Sequence, residues 1–166
     1  MKLIIHDLDQ EQARRILPAP NEDCHIIDTT TMPKPCRGCF HCWIKTPGQC
    51  IIPDAYQNMG ALIGRSRELI LISSCLYGCE SPAVKMVLDR SIGYMLPLFH
   101  ITRNEMHHLS RYPRRLRFRV LFYGGAITEM EKATASRLIK AQALNLKARF
   151  VETRFFTDME TIKEAL

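Results

Sequence analysis

The strands of this chain show as runs of consecutive apolar residues rather than as alternation. Leu3-Ile4-Ile5 is the first, Cys24 to Asp28 the second, and Glu68-Leu-Ile-Leu-Ile-Ser-Ser74 the clearest. A strand without a polar face must be covered on both sides. Leu116 to Tyr123 starts by alternating and becomes continuously apolar, and Ala148 to Phe156 forms a last strand. Helical patterns lie between them. Residues 9–17 predict a brief helix with Ala13, Ile16 and Leu17 on one side. Asp54 and Gln57 have the form of a capping box, with Ala55, Met59, Leu62 and Ile63 on the helical face that follows. Ser81 caps a helix with Pro82 in its first turn and Val84, Val87, Leu88 and Met95 as its stripe. Thr128 to Glu131 is another capping box, opening a long helix to about Leu146, and residues 158–166 predict a closing helix.

Strand and helix alternate five times, which predicts a parallel sheet with helices on both faces. Five units suit a flavodoxin-like three-layer α/β/α fold, strand order 2-1-3-4-5. At 166 residues the chain reads as one domain, residues 1–166. Two segments break the rhythm: a cysteine loop over 33–53, and a basic excursion over 97–115 that leaves the sheet and returns. Ligands of such sheets sit outside the carboxyl ends of the strands, at the β1/β3 switch point. That rim comprises His6–Gln10, the cysteine loop, Ser74–Ser81 and Tyr123–Ala126, so cysteines and glycine turns are expected on one edge.

Composition adds limits. No apolar run approaches the roughly 18 residues of a membrane span, so no membrane role is expected. The start turns polar at His6-Asp7, too soon for a secretory signal, which leads to the expectation of a cytoplasmic protein. There the seven cysteines are reduced, favouring metal or redox roles over bridges. Net charge is +6, and Arg111, Arg114, Arg115, Arg117 and Arg119 cluster in one stretch. That stretch can attract phosphates on a nucleotide, on RNA or on an acidic partner, or be a solvated loop entering a strand. No aromatic platform accompanies it, so nucleic acid is not an expected partner. His107-His108 is a poor metal signal, since neighbours point to different sides.

Two segments carry a resemblance when taken together. One is Pro35-Cys36-x-Gly38-Cys39-x-x-Cys42, continuing through Pro47-Gly48-x-Cys50 to Asp54. The other is Tyr77-Gly78-x-x-Ser81-Pro82-x-x-Lys85-x-x-x-Asp89-Arg90. Together they resemble the flavodoxin-like NADPH-dependent FMN reductase family and its relatives, the iron–sulfur flavoproteins. The resemblance runs from about Pro35 to Phe99. It implies that Cys75, Leu76, Tyr77, Gly78 and Cys79 border a flavin ring, with Gly124 and Gly125 flanking it. Cys75 and Cys79 can be a redox pair or mere packing. The resemblance also implies NAD(P)H as co-substrate and a homodimer or homotetramer, in which the excursion can complete a shared pocket.

The first loop departs from that family. Members that hold FMN usually place a Gly-Ser-x-x-x-x-Gly-Asn-Thr type loop after strand 1, cradling the phosphate at a helix N-terminus. This chain has His6-Asp7-Leu8-Asp9-Gln10 instead. One carboxylate about 5 Å from one phosphate charge costs roughly 3 kcal/mol at an effective dielectric near 20.

Cys36, Cys39, Cys42 and Cys50 follow C-x2-C-x2-C-x7-C. The resemblance implies a 4Fe–4S cluster there; four thiolates also suit zinc, and a packed turn without metal is the third reading. Trp43 is expected to pack the loop onto the sheet, His41 to be exposed and Cys24 to lie in the core. Two functions stay open. One is a flavin-dependent NAD(P)H oxidoreductase, FMN reductase-like, passing electrons to a small acceptor. The other is a relative that has lost FMN binding and acts as a metal-holding or non-catalytic binding protein.

Overall fold

The structure, a computed structural model, describes residues 1–102, 104–113 and 116–166. Among these, five parallel strands form the central sheet: β1 (Lys2–His6), β2 (Cys24–Asp28), β3 (Glu68–Leu76), β7 (Leu116–Tyr123) and β8 (Ala148–Phe156). Their order is β2-β1-β3-β7-β8, the flavodoxin-like order expected from the alternation. The short β4 (Cys79–Glu80) folds back on the end of β3. β5 (Met95–Thr102) and β6 (Glu105–Ser110) make a separate antiparallel hairpin.

The helices are α1 (Gln10–Ile16), α2 (His41–Ile44), α3 (Met59–Arg65), α4 (Pro82–Arg90) and α5 (Glu129–Asn145), with 3-10 turns at Ile92–Tyr94 and Met159–Ala165. Successive strand residues feed opposite faces. Leu69 and Leu71 join Met59, Ile63, Val84, Val87 and Ile139 on one side of the sheet. Ile70 and Ile72 join Ile16, Ile162 and Ala165 on the other. Three layers result because every strand side chain of the centre must be covered.

Three local expectations are corrected. Asp54 caps no helix: α3 starts at Met59, because the Asp54 carboxylate is held by Arg90. Met95 leaves the α4 stripe, since α4 ends at Arg90 and Met95 opens β5. The closing segment is a 3-10 helix, capped by Asp158. Among the described residues no helix is long and apolar enough to cross a membrane.

Candidate functional site at the switch point and the cysteine cavity

The switch point of this sheet lies between β1 and β3, and Asp7 bridges it. The backbone N–H of Ser74 donates to both Asp7 oxygens, at 3.2 and 3.1 Å, and Ser74 Oγ donates to Oδ2 at 2.9 Å. The Tyr123 hydroxyl, at the end of β7, donates to Oδ1 at 2.9 Å. Burial and the Asp7 charge push the Tyr123 pKa up, so the phenol stays a donor. One carboxylate thus draws three strand ends together.

Asp9 engages the start of α1. Its Oδ1 accepts from Gln12 N at 2.9 Å, and the Gln12 side chain accepts from Asp9 N at 3.0 Å, a complete capping box. FMN would need donors here for its phosphate. The N–H groups of Ser74 and Gln12 and the Tyr123 hydroxyl are bound by the chain's own carboxylates, and residues 7–10 carry no hydroxyl. The first loop does not fit the phosphate of FMN.

The expected ring-bordering loop is a two-residue hairpin. Cys75 pairs with Glu80 and Leu76 with Cys79, leaving Tyr77 and Gly78 at the bend with φ of 53° and 78°. Two left-handed residues give the tight turn that matches strand twist. Gly78 is required twice over: a Cβ there would meet Thr134 Cβ at 2.8 Å and Glu131 O at 2.9 Å on α5. Tyr77 has no such reason. It is 91% exposed in a conformation unfavourable for a bulky side chain. Gly124 is half-buried and Gly125 exposed at the end of β7, and a Cβ at Gly125 would meet nothing.

Cys75 and Cys79 do not face each other. Cys75 shares a face with Glu80, and Cys79 with Leu76, because adjacent strand residues point oppositely. The redox-pair reading is therefore corrected. Burial pushes the Cys75 thiol up. Burial and the Glu80 carboxylate, which accepts from Cys79 Sγ at 3.2 Å, push Cys79 up to about 11.

Cys36, Cys39, Cys42 and Cys50 line one cavity of about 330 Å³, together with Asp89, Arg90 and Ile92. Cys36 and Cys39 are exposed, Cys50 half-buried and Cys42 buried. Burial, then the neighbouring Cys50, pushes the Cys42 thiol up. Burial opposes the Arg90 charge, yet Asp54 and the Cys50 sulfur hold its pKa above the usual value. Among the described residues no group of three or more His, Cys, Asp or Glu side chains is arranged to hold a metal ion.

The expected rim pieces adjoin different parts of α4. The Tyr77-Gly78 bend precedes the N-terminus of α4, whereas the cysteine cavity is lined by its last residues, Asp89 and Arg90. Nine helical residues span about 13 Å. The loop starts after β2 and stays fastened to its end through Tyr56, whose hydroxyl donates to Asp28 O at 2.7 Å, while Arg90 holds Asp54. Trp43 packs on the hairpin rather than the sheet: its Nε1 donates to Ile92 O at 3.1 Å and Met95 O at 2.9 Å, and its ring lies against His108. His41 is half-buried, not exposed, and Cys24 is in the core.

The described arginines of the basic stretch are occupied elsewhere. Arg111 Nε donates to Gly93 O at 2.8 Å. Arg117 and Arg119 pair with Glu68 at the amino end of β3, opposite the switch point. Arg114 and Arg115 lie outside the described residues. His107 contacts Glu105 and Asn145, while His108 faces Trp43 and Phe99. Sequence reasoning missed Ser74 and Tyr123 as partners of Asp7, and Arg90 as a wall of the cysteine cavity. Asp54 and Arg90 did stand in the two family-like segments, the one signal that pointed to their pairing.

No family model matches the chain, and no curated protein matches it in sequence. Solved structures do match in shape. One is an FMN-dependent NADH-azoreductase from Bacillus anthracis str. Ames Ancestor, in complex with FMN: TM-score 0.56, 14% identity, 99% of this chain and 97% of that one. Another is an NAD(P)H:quinone oxidoreductase from Methanothermobacter marburgensis: TM-score 0.62, 14% identity, 99% and 96%. With the strand order and the two covered faces, these likenesses establish that the chain has the flavodoxin-like α/β/α fold of such reductases.

Proposed function

We propose that this protein is an NAD(P)H-dependent oxidoreductase that works on a flavin taken from solution and delivers electrons to a small acceptor. The observation that carries this reading is the Tyr77-Gly78 bend. A fully exposed tyrosine is kept in a left-handed conformation beside the switch point, on a hairpin pinned by β4 and α5. Backbone strain of this kind, about 1–3 kcal/mol, persists where a binding surface needs it. Tyr77 offers a flat ring for stacking, and Gly78 keeps the turn tight. Gly124 and Gly125 leave open backbone at the end of β7, two strands from β1. A bound flavin would supply the hydride-accepting ring; the chain orients and covers that ring. The test is NADH or NADPH oxidation, followed at 340 nm, by purified protein with flavin and a quinone added. Turnover that requires both protein and flavin supports the reading; none with FMN or riboflavin overturns it.

The β5–β6 hairpin is read as the face on which a second copy of the chain packs and completes the site. Leu98, Phe99, Ile101 and Met106 stand exposed on it, and a two-stranded hairpin is marginal without cover.

A second reading, a metal-holding protein without flavin, rests on the four thiols that share the cysteine cavity, which a metal would have to draw together. Four thiols and one buried guanidinium line the cavity. Anaerobic incubation with iron and sulfide, or with zinc, followed by metal analysis, tests it. Retention of metal that is lost in Cys42→Ser supports this reading, and no retention overturns it.

A further inference from the structure

Asp7 and Asp9 stand where the fold would accept an anion, and each is engaged. Asp7 receives the Ser74 N–H, the Ser74 hydroxyl and the Tyr123 hydroxyl. Asp9 receives the Gln12 N–H at the mouth of α1. The usual anion site of a βα unit is made of such donors. Here they face the chain's own carboxylates, so what the crevice shows to a ligand is an acceptor surface with negative charge.

Resting on the reading that this site takes a flavin, we infer that the crevice selects the phosphate-free form: riboflavin over FMN. The two differ only at the end of the ribityl chain. Riboflavin ends in a hydroxyl, which donates to a carboxylate. FMN ends in a phosphate carrying about 1.5 to 2 negative charges at pH 7, which accepts only. A hydroxyl near the exposed Asp9 gains a charge-assisted hydrogen bond, while Asp7, whose two oxygens each already accept two hydrogen bonds, contributes its charge. A phosphate there meets like charge, and the Ser74 and Gln12 N–H groups and the Tyr123 hydroxyl already bond the chain's own carboxylates. Asp7 is the deeper element, because its three hydrogen bonds tie β1, β3 and β7. Asp9 is exposed and sets the charge at the entrance.

The discrimination is electrostatic and must therefore shrink with salt. It must also shrink when a charge is removed without loss of the fold. Asp9→Ser serves well, since serine caps a helix nearly as effectively as aspartate. Asp7→Asn keeps the shape at the strand ends, and its thermal melt shows whether the junction survives.

The experiment is titration of the whole purified protein with riboflavin and with FMN, read by quenching of flavin fluorescence, at low salt and near physiological salt. For the wild type, riboflavin is expected to bind more tightly than FMN by at least about tenfold at low salt. The ratio is expected to narrow several-fold with salt and in Asp9→Ser, through a gain for FMN rather than a loss for riboflavin. FMN binding as tightly as riboflavin in the wild type overturns the inference while leaving the oxidoreductase reading intact. A preference untouched by salt and by Asp9→Ser overturns the assignment to the carboxylates. Binding of neither flavin overturns both the inference and the reading beneath it.

Discussion

Arg90 grips Asp54 with both terminal nitrogens: Nη1 lies 2.6 Å from Oδ2 and Nη2 lies 2.7 Å from Oδ1. The guanidinium also donates to Ile52 O at 3.2 Å. This fork fastens the cysteine loop to the end of α4. Its two members are unequally placed, with the Arg90 side chain fully buried and that of Asp54 22% exposed.

That inequality sets the outcome of mutation. Asp54→Ala strands a buried cation and is expected to cost about 3–5 kcal/mol. Arg90→Met leaves a carboxylate that water can reach, and is expected to cost less. Urea unfolding of the two variants checks the order. The pair also has an acid limit. The bond from Arg90 holds the Asp54 pKa below the usual carboxylate range. Its contribution is complete above the unfolded value, near pH 4, and is lost as pH falls through the lowered folded value. The stability gap between wild type and Asp54→Asn is therefore expected to narrow on the acid side of pH 4.

Tyr77 and Gly78 should respond in opposite ways. Tyr77→Gly relieves left-handed strain at a comparable entropic cost, so stability is expected to change by less than about 1 kcal/mol. Loss of the stacking ring, worth about 1–1.5 kcal/mol, predicts roughly a tenfold fall in flavin-dependent NAD(P)H oxidation. Gly78→Ala drives a methyl into Thr134 and the Glu131 carbonyl, and is expected to cost about 2–3 kcal/mol. Thermal melts and the 340 nm assay separate the two effects.

Thiol chemistry should follow exposure and burial. Cys36 and Cys39 are exposed and are expected to react first with a disulfide reagent at pH 8. Cys79, pushed up to about 11, offers only about one thiolate in a thousand at that pH. Cys42 is buried and shifted in the same direction. Mass mapping after brief labelling checks the order, and early modification of Cys79 or Cys42 contradicts it.

The exposed hairpin predicts self-association. Ile101 is 77% exposed, so Ile101→Glu is compatible with the folded monomer. Sedimentation at micromolar concentration is expected to give a multiple of 19.1 kDa for the wild type and a shift toward 19.1 kDa for the variant. A monomeric wild type contradicts the prediction.

Local signals and distant partners divide this protein between them. The five strands, the capping box at Thr128 that opens α5, the Ser81 cap and the layered α/β/α order were legible in the sequence, because each depends on residues a few positions apart. β2, β7 and β8 have the bounds read from their apolar runs. Asp54 shows where such reading ends: Asp54-x-x-Gln57 has the form of a cap, but a cation 36 residues away binds it better.

The site needed the tertiary structure for the same reason. Asp7 is a surface-like carboxylate in sequence, and its partners Ser74 and Tyr123 lie 67 and 116 residues on. Trp43 turned from the sheet to the hairpin because two carbonyls, Ile92 and Met95, were offered there. Apolar runs and caps, properties of neighbouring residues, fixed the layers in advance, and the fivefold alternation they spell out implied the order of the strands. The folded chain alone sets the tyrosine bend before the first residue of α4 and the cysteine cavity at its last, and ties Asp7 to Ser74 and Tyr123. Those outcomes turn on competition among partners far apart in the chain.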